Sequence, residues 1–324
     1  LAESSSPSTI DFAARVSTPA AKPLPKARMS PRRRSEVRWG FIFAAPAIIG
    51  FLMLKAVPIL FSLWIALTDW TVVGTAHWIG LANFQKMLTA DPIFWRTLSV
   101  TAYYTLLSVP ASMVFAFFLA TLLNNKIPGL GIFRTIFYIP SIVPIIATSV
   151  IWLWMYNPDF GLFNSLLRPL GFPKLQWIFG ENSVVPSLVF MSIWGVGPMM
   201  IIFLAGLQDV PKELYEAADI DGASGFHKLI HITVPMMTPT ILFNLMISLV
   251  AAFQTFVQPY VMTNGGPNNG SLFFVFFIYR TAFQDSRMGY ASALAWALFV
   301  IISLLSFLIF RNSKRWVYYH GSDA

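Results

Sequence analysis

The sequence predicts an all-α membrane protein with six transmembrane helices. Three observations carry that expectation. Hydrophobic residues make up 56% of the chain. Charged residues make up 11%, against about 25% in soluble domains. The apolar residues also gather into six runs long enough to cross a bilayer. The mean hydropathy of +0.65 agrees. With no cysteine, the chain has neither a disulfide framework nor a thiolate metal site. The net charge of +8 gathers toward the amino end instead of forming a basic stripe, so no nucleic-acid partner is expected.

Taken in order, residues 1–36 are rich in Ser, Pro, Ala and Arg and hold too little apolar surface to build a core. They are expected to form a disordered basic cytoplasmic tail, with the domain boundary at residue 38. A full-length apolar run follows Arg38 with no small-residue cleavage site, so a retained anchor is expected in place of a signal peptide. A helix crossing the roughly 30 Å hydrocarbon layer needs about 20 apolar residues. Residues 40–68, 98–123, 132–156, 184–207, 238–262 and 290–310 qualify, inside a membrane domain spanning 39–311, and 312–324 form a carboxyl-terminal tail. Pro58, Pro110, Pro140, Pro144 and Pro198 fall inside these runs and predict kinks, which membranes tolerate where neighbouring helices satisfy the freed carbonyls. The segment SLFFVFFIYRTAF at 271–283 is too short to cross and is expected to be interfacial or re-entrant. Lys55 lies mid-run, where a charge must snorkel or face an interface. Trp152, Trp154 and Tyr156, at a run's end, read as an aromatic belt.

Orientation follows from the basic flanks. Arg32, Arg33, Arg34 and Arg38 precede the first run, Lys126 and Arg134 lie between the second and third, and Arg311, Lys314 and Arg315 follow the last. The positive-inside rule therefore places both termini in the cytoplasm of a multi-pass protein. Lys86, Arg96, Arg168, Lys174, Arg280 and Arg287 fall on the opposite side, spread over longer stretches.

Between the fourth and fifth runs lies a polar interruption, 208–235, which holds ELYEAADIDGASGFHKLIHITVP at 213–235. Asp209, Glu213, Glu216, Asp219 and Asp221 crowd into it. ELYEAADI is a good helix former with acidic early turns, which suit the positive end of a helix dipole. Gly222 permits a turn, and Ser224 can cap a second helix with Phe226, Leu229, Ile230 and Thr233 on its apolar face. A helix-turn-helix outside the bilayer, with a polar tip and an apolar back, is shaped to enter a partner's cleft.

The pattern Glu216, Ala217, Ala218, Gly222, Ile232 and Pro235 resembles the EAA loop of ABC-transporter membrane subunits, with Val234 where the family more often has Leu. FRTIFYIPSIVPIIATSVIWLWMYNPDFGLFN at 133–164, VMTNGGPNN at 261–269 and GYASALAWALF at 289–299 are similar to sugar permeases of the maltose and glycerol-phosphate uptake class. The resemblance implies an ABC importer type I permease fold in a bacterial inner membrane. It also implies a second permease subunit, two cytosolic ABC ATPase subunits and an extracytoplasmic sugar-binding protein. In such an assembly Glu216, Ala217, Ala218, Asp221, Gly222, Ile232 and Pro235 would engage the ATPase, with Glu216 offering its carboxylate to a basic partner. The dipeptide Gly-Lys of a phosphate-binding loop is absent, so ATP and Mg are expected on the partner ATPase subunits, with no cofactor in this chain.

The fifth run carries Asn244, Ser248, Thr255 and Gln258 at helical spacings, with small Ala251 and Ala252 between them. Two readings stay open for this stripe: a substrate pathway, with Trp194 and Gly195 of the fourth run supplying a stacking face and room, or polar glue between helices. His227 and His231 stand four apart, but Lys228 replaces the Glu of a zinc-protease motif, so no metal site is expected. Secondary transporters bind coupling ions on intramembrane carboxylates, and no Asp or Glu lies in the six runs. No His lies there either, so no catalytic constellation is expected and the chain reads as a non-enzyme. An ABC permease for a non-sugar solute such as a glycerophosphodiester is the alternative to a sugar permease, with a secondary transporter behind both.

Overall fold

The structure, a computed structural model, describes residues 31–125 and 129–318, the first four of them by backbone alone. Most of the expected amino-terminal tail, Lys126 and residues 319–324 lie outside the described residues. Among the described residues all regular structure is helical, apart from one isolated antiparallel bridge between Thr68 and Trp78.

The chain divides into two units, Leu1–Pro58 and Ile59–Ala324. The first holds helix α1, Pro31–Phe51, which starts ahead of the boundaries expected at residues 38 and 40. Pro31 suits a first helical position because its missing N–H would be unpaired there anyway. A π-helical turn, Leu52–Ala56, follows and carries Lys55 exposed on its surface. Pro58, without an N–H and with a ring that crowds the carbonyl four residues back, accounts for the wider turn.

The second unit begins with α2, Val57–Ala66, whose first two residues belong to the preceding unit. It continues with α3 (Ala82–Thr89) and the long α4 (Pro92–Leu123), which Asp91 caps by accepting from Ile93 N–H at 2.9 Å. α4 runs unbroken through Pro110 and packs against five later helices. α5 (Leu130–Tyr138) and α6 (Ile145–Met155) form one crossing bent by 91° at Pro140 and Pro144. After α7 (Leu162–Leu167), α8 (Val184–Trp194) and α9 (Gly197–Gln208) form another, bent by 52° just before Pro198. The two bends meet: a Cβ on Gly197 would sit 2.9 Å from both the Phe137 carbonyl oxygen and Tyr138 Cα.

The polar interruption supplies α10 (Lys212–Ile220), α11 (Gly225–Lys228) and α12 (Val234–Met236). The fifth crossing is α13 (Thr238–Phe253) and α14 (Val257–Met262), interrupted between them at residues 254–256. Segment 271–283 forms α15 (Phe274–Tyr279) and a π turn, and it is no crossing: Phe273 and Phe274 are fully buried. The Phe274 N–H donates to Thr101 Oγ1 of α4 at 2.9 Å. The last crossing, α16 (Met288–Ser313), starts where Gly289 lies against the Thr68 backbone; a Cβ there would fall 2.1 Å from the Thr68 oxygen. Among the described residues, four apolar helical segments long enough to cross a membrane, with each bent pair taken as one crossing, make six crossings.

The aromatic-belt expectation is corrected in part. Trp152 is 4% exposed and Tyr156 is fully buried, with its hydroxyl donating to the Ser187 carbonyl at 2.7 Å. Both belong to a core cluster that α8 covers, and Trp154 alone of the three is exposed.

Candidate functional site

The residues expected to be functional gather mainly in two places. The first is the polar elbow between α9 and α13. α10 ends on Asp221, and Gly222 follows with φ +73°. Gly222 N–H donates to the Asp219 carbonyl at 3.1 Å and Ala223 N–H to the Ala218 carbonyl at 2.9 Å. This pair of bonds is a Schellman cap, which requires a left-handed residue at the position Gly222 occupies. Ala218 and Ala223 are the residues such a cap brings together, and Ala218 is buried, 9% exposed. Ala217 is exposed, whereas Ala218 is covered by its own chain.

Ser224 begins the second arm, its Oγ accepting from His227 N–H at 3.3 Å. A second π turn, Leu229–Thr233, precedes Pro235 as the first precedes Pro58. It divides the expected apolar face. Phe226 and Ile230 are exposed, whereas Thr233 is buried and Ile232 packs against the core with Tyr215. Two cross-links tie the arms: Lys228 Nζ to Asp219 Oδ1 at 2.6 Å, and the Tyr215 hydroxyl to Thr233 Oγ1 at 2.9 Å. The Thr233 hydroxyl has the Lys228 carbonyl to donate to, so the tyrosine is the donor of the second. Asp219 is thereby neutralised. Glu213, Glu216 and Asp221 are exposed and form no ion pair among the described residues. Beside them Ile220 is 88% and Phe226 71% exposed. The elbow is a fixed projection, acidic and apolar at its tip. His227 and His231 stack, ring centroids 3.9 Å apart. Pro235, at the elbow's far end, accepts from Thr238 Oγ1 through its carbonyl at 2.6 Å.

The second place is a cavity of about 230 Å³ between α4, α8, α9 and the fifth crossing. Ser248, Ala252, Thr255 and Gln258 line it, joined by Tyr104, Ser108 and Ser112 of α4 and Ser192 of α8. No lining residue carries a formal charge. Thr255 sits in the break between α13 and α14, so it reaches the cavity from an interruption and not from a continuous helix face.

Three of the expected pathway residues do not line this cavity. Asn244 lies a turn before Ser248, 2% exposed, and its Nδ2 donates to the Thr240 carbonyl at 3.1 Å, so it serves the helix interior. Trp194 is half-exposed and packs edge-on against Trp152 at 5.8 Å. Gly195 ends α8 at the bend, outside the cavity wall. The α4 residues were missed in the sequence, although Tyr104, Ser108 and Ser112 recur every four residues, a spacing that marks one helix face.

At the opposite end of the fourth crossing from the elbow, the 261–269 motif folds into a loop with a cis Gly266–Pro267 bond. Asn268 Nδ2 and Arg96 Nη2 both donate to Glu181, at 3.1 Å each, which ties the loop to the start of α4.

With this geometry in hand, comparison with known proteins is direct. Residues 112–317 match the family described as "Binding-protein-dependent transport system inner membrane component". The chain is 38% identical over 288 residues to the probable ABC transporter permease protein YesP of Bacillus subtilis (strain 168), covering 88% of this chain and 93% of that one. It is 33% identical over 276 residues to the trehalose/maltose transport system permease protein MalF of Thermococcus litoralis, covering 85% and 92%. Its fold is similar to a chain in the crystal structure of a bacterial alginate ABC transporter in complex with an alginate pentasaccharide-bound periplasmic protein. There the TM-score is 0.76 at 22% identity, with 87% of this chain and 96% of that chain covered. The six crossings, the capped EAA elbow and these matches agree, and the chain belongs to the binding-protein-dependent inner membrane components, the permease subunits of ABC transporters.

Proposed function

We propose that this chain is a sugar permease. It would take a neutral carbohydrate from an extracytoplasmic binding protein, pass it along the wall formed by Ser248, Ala252, Thr255 and Gln258, and be driven by two cytosolic ATPase subunits bound at the elbow. Both termini would then face the cytoplasm. The observation that carries the substrate class is the uncharged cavity, in which the hydroxyls of Tyr104, Ser108, Ser112 and Ser192 stand across from the fifth crossing among apolar Val109 and Met199. Such groups hydrogen-bond sugar hydroxyls, whereas a glycerophosphodiester would call for a cation to meet its phosphate. At about 230 Å³ the cavity is smaller than the roughly 300–1,000 Å³ of sites that enclose a ligand. One chain therefore supplies one wall, and a second permease subunit would supply the other. The maltose-class relative supports the same reading, since its name assigns it trehalose and maltose.

At the elbow, exposed Glu216 and Asp221 would meet basic groups of the ATPase, while Ile220 and Phe226 enter an apolar groove. The test is Glu216→Lys in the reconstituted transporter. It should abolish stimulation of the ATPase by loaded binding protein while leaving membrane insertion unchanged. Normal uptake by that variant would refute the coupling role.

A further inference from the structure

The sequence and the proposed transport role leave unused a cluster of charges at the mouths of α4 and α16. A cavity of about 250 Å³ there is lined by Lys86 of α3, Arg280 of the π turn after α15 and Arg287 at the start of α16. It also holds two carboxylates, Asp91 and Asp285. Both are engaged. Asp91 Oδ1 caps α4, its Oδ2 accepts from the Tyr290 hydroxyl at 2.5 Å, and Asp285 pairs with Arg287 at 3.1 Å. Lys86 and Arg280 have no carboxylate within ion-pair distance among the described residues. The Tyr290 ring gathers two of the three cations, with Lys86 Nζ at 5.2 Å and the Arg287 guanidinium at 5.6 Å from its centroid. Three cations and two carboxylates thus share one space, which keeps an excess of one positive charge, with Lys86 and Arg280 both outside any ion pair among the described residues.

We infer that this cavity is a binding site for a phosphate group, carried by an anionic phospholipid headgroup or free in solution. Arginine and lysine converging from three elements offer the forked and point-charge donors that phosphate oxygens accept. The cavity opens at the ends of two crossing helices, the depth at which a bilayer's phosphates lie, and partly exposed Ile93 on its wall gives an acyl chain an apolar surface.

The experiment uses the full chain in nanodiscs of phosphatidylcholine, with and without phosphatidylglycerol, followed by native mass spectrometry of the lipid retained. The wild type should retain phosphatidylglycerol, and Lys86→Gln with Arg280→Gln should weaken retention roughly thirtyfold, about fivefold per cation at a membrane surface. Lys86→Arg with Arg280→Lys keeps the charge and should retain the lipid. Arg168→Gln with Lys174→Gln, which removes basic residues of a separate cavity, should not change retention. Inorganic phosphate titrated into the phosphatidylcholine nanodiscs distinguishes the source: protection against heat by phosphate alone assigns the site to the free anion, and protection by the lipid alone assigns it to the headgroup. Equal retention by the glutamine pair and the wild type, with no protection from phosphate, overturns the inference.

Discussion

Replacing Gly222 by alanine isolates backbone geometry from packing at the elbow. A Cβ at this position has nothing within 4 Å, so no contact is disturbed. What changes is the left-handed conformation at φ +73°, which costs a residue bearing a Cβ roughly 1–2 kcal/mol. That energy corresponds to about a 5- to 30-fold loss in the population of the capped turn. The bond most directly lost is Ala223 N–H to the Ala218 carbonyl, at 2.9 Å in the intact cap. Hydrogen exchange at the Ala223 amide should therefore quicken by about 5- to 30-fold, while amides in the crossings keep their rates. Gly222→Asn, whose side chain tolerates this conformation, should restore most of the protection. Wild-type exchange in the alanine variant would refute the capping argument. Equal loss in the alanine and asparagine variants would show that the glycine serves something other than φ.

Other perturbations read the rest of the chain. Ser248 and Thr255 changed together to Leu should stop uptake while the subunits still co-purify, whereas Asn244→Leu, outside the cavity, should reduce stability and leave substrate preference unchanged. Thr101→Val removes the acceptor of the fully buried Phe274 N–H and should cost about 1–3 kcal/mol, seen as a lower melting temperature in detergent; Thr101→Ser should keep wild-type stability. Gly289→Val would drive a side chain into the Thr68 oxygen and should sharply cut the folded fraction recovered by size-exclusion chromatography.

The parts legible in the sequence are those fixed by short-range rules. Hydropathy locates the crossings because lipid demands about 20 apolar residues of any helix that spans it. The elbow is legible because Gly222 and Ser224 act on their immediate neighbours, through the cap at Ala218 and the bond from His227. What escaped is the direction each apolar side chain takes once the helices pack. Trp152 and Trp154 sit two apart on one helix, yet the first is core and the second exposed, and a run that is apolar on every side carries no periodicity to tell them apart. Asn244 and Ser248 share a helix face, but the cavity ends before Asn244, and its extent depends on α4 and α8 as much as on the fifth crossing. Trp194, just before the bend at residues 195–196, packs on Trp152 and lies outside the cavity wall, an outcome that depends on where the aromatic partner lies.

The roots of the elbow bear on how a push at its tip would travel in the proposed coupling. Gly206 of α9 lies so near α13 that an added methyl would stand 2.7 Å from Thr240 Oγ1 and 3.0 Å from Met237 Cε. With the Lys228–Asp219 and Tyr215–Thr233 ties beyond that contact, the two stems are braced against each other, and under the proposed coupling a load on either arm would be shared by both. A bulky residue at 206 would wedge that contact open and let one stem swing without the other.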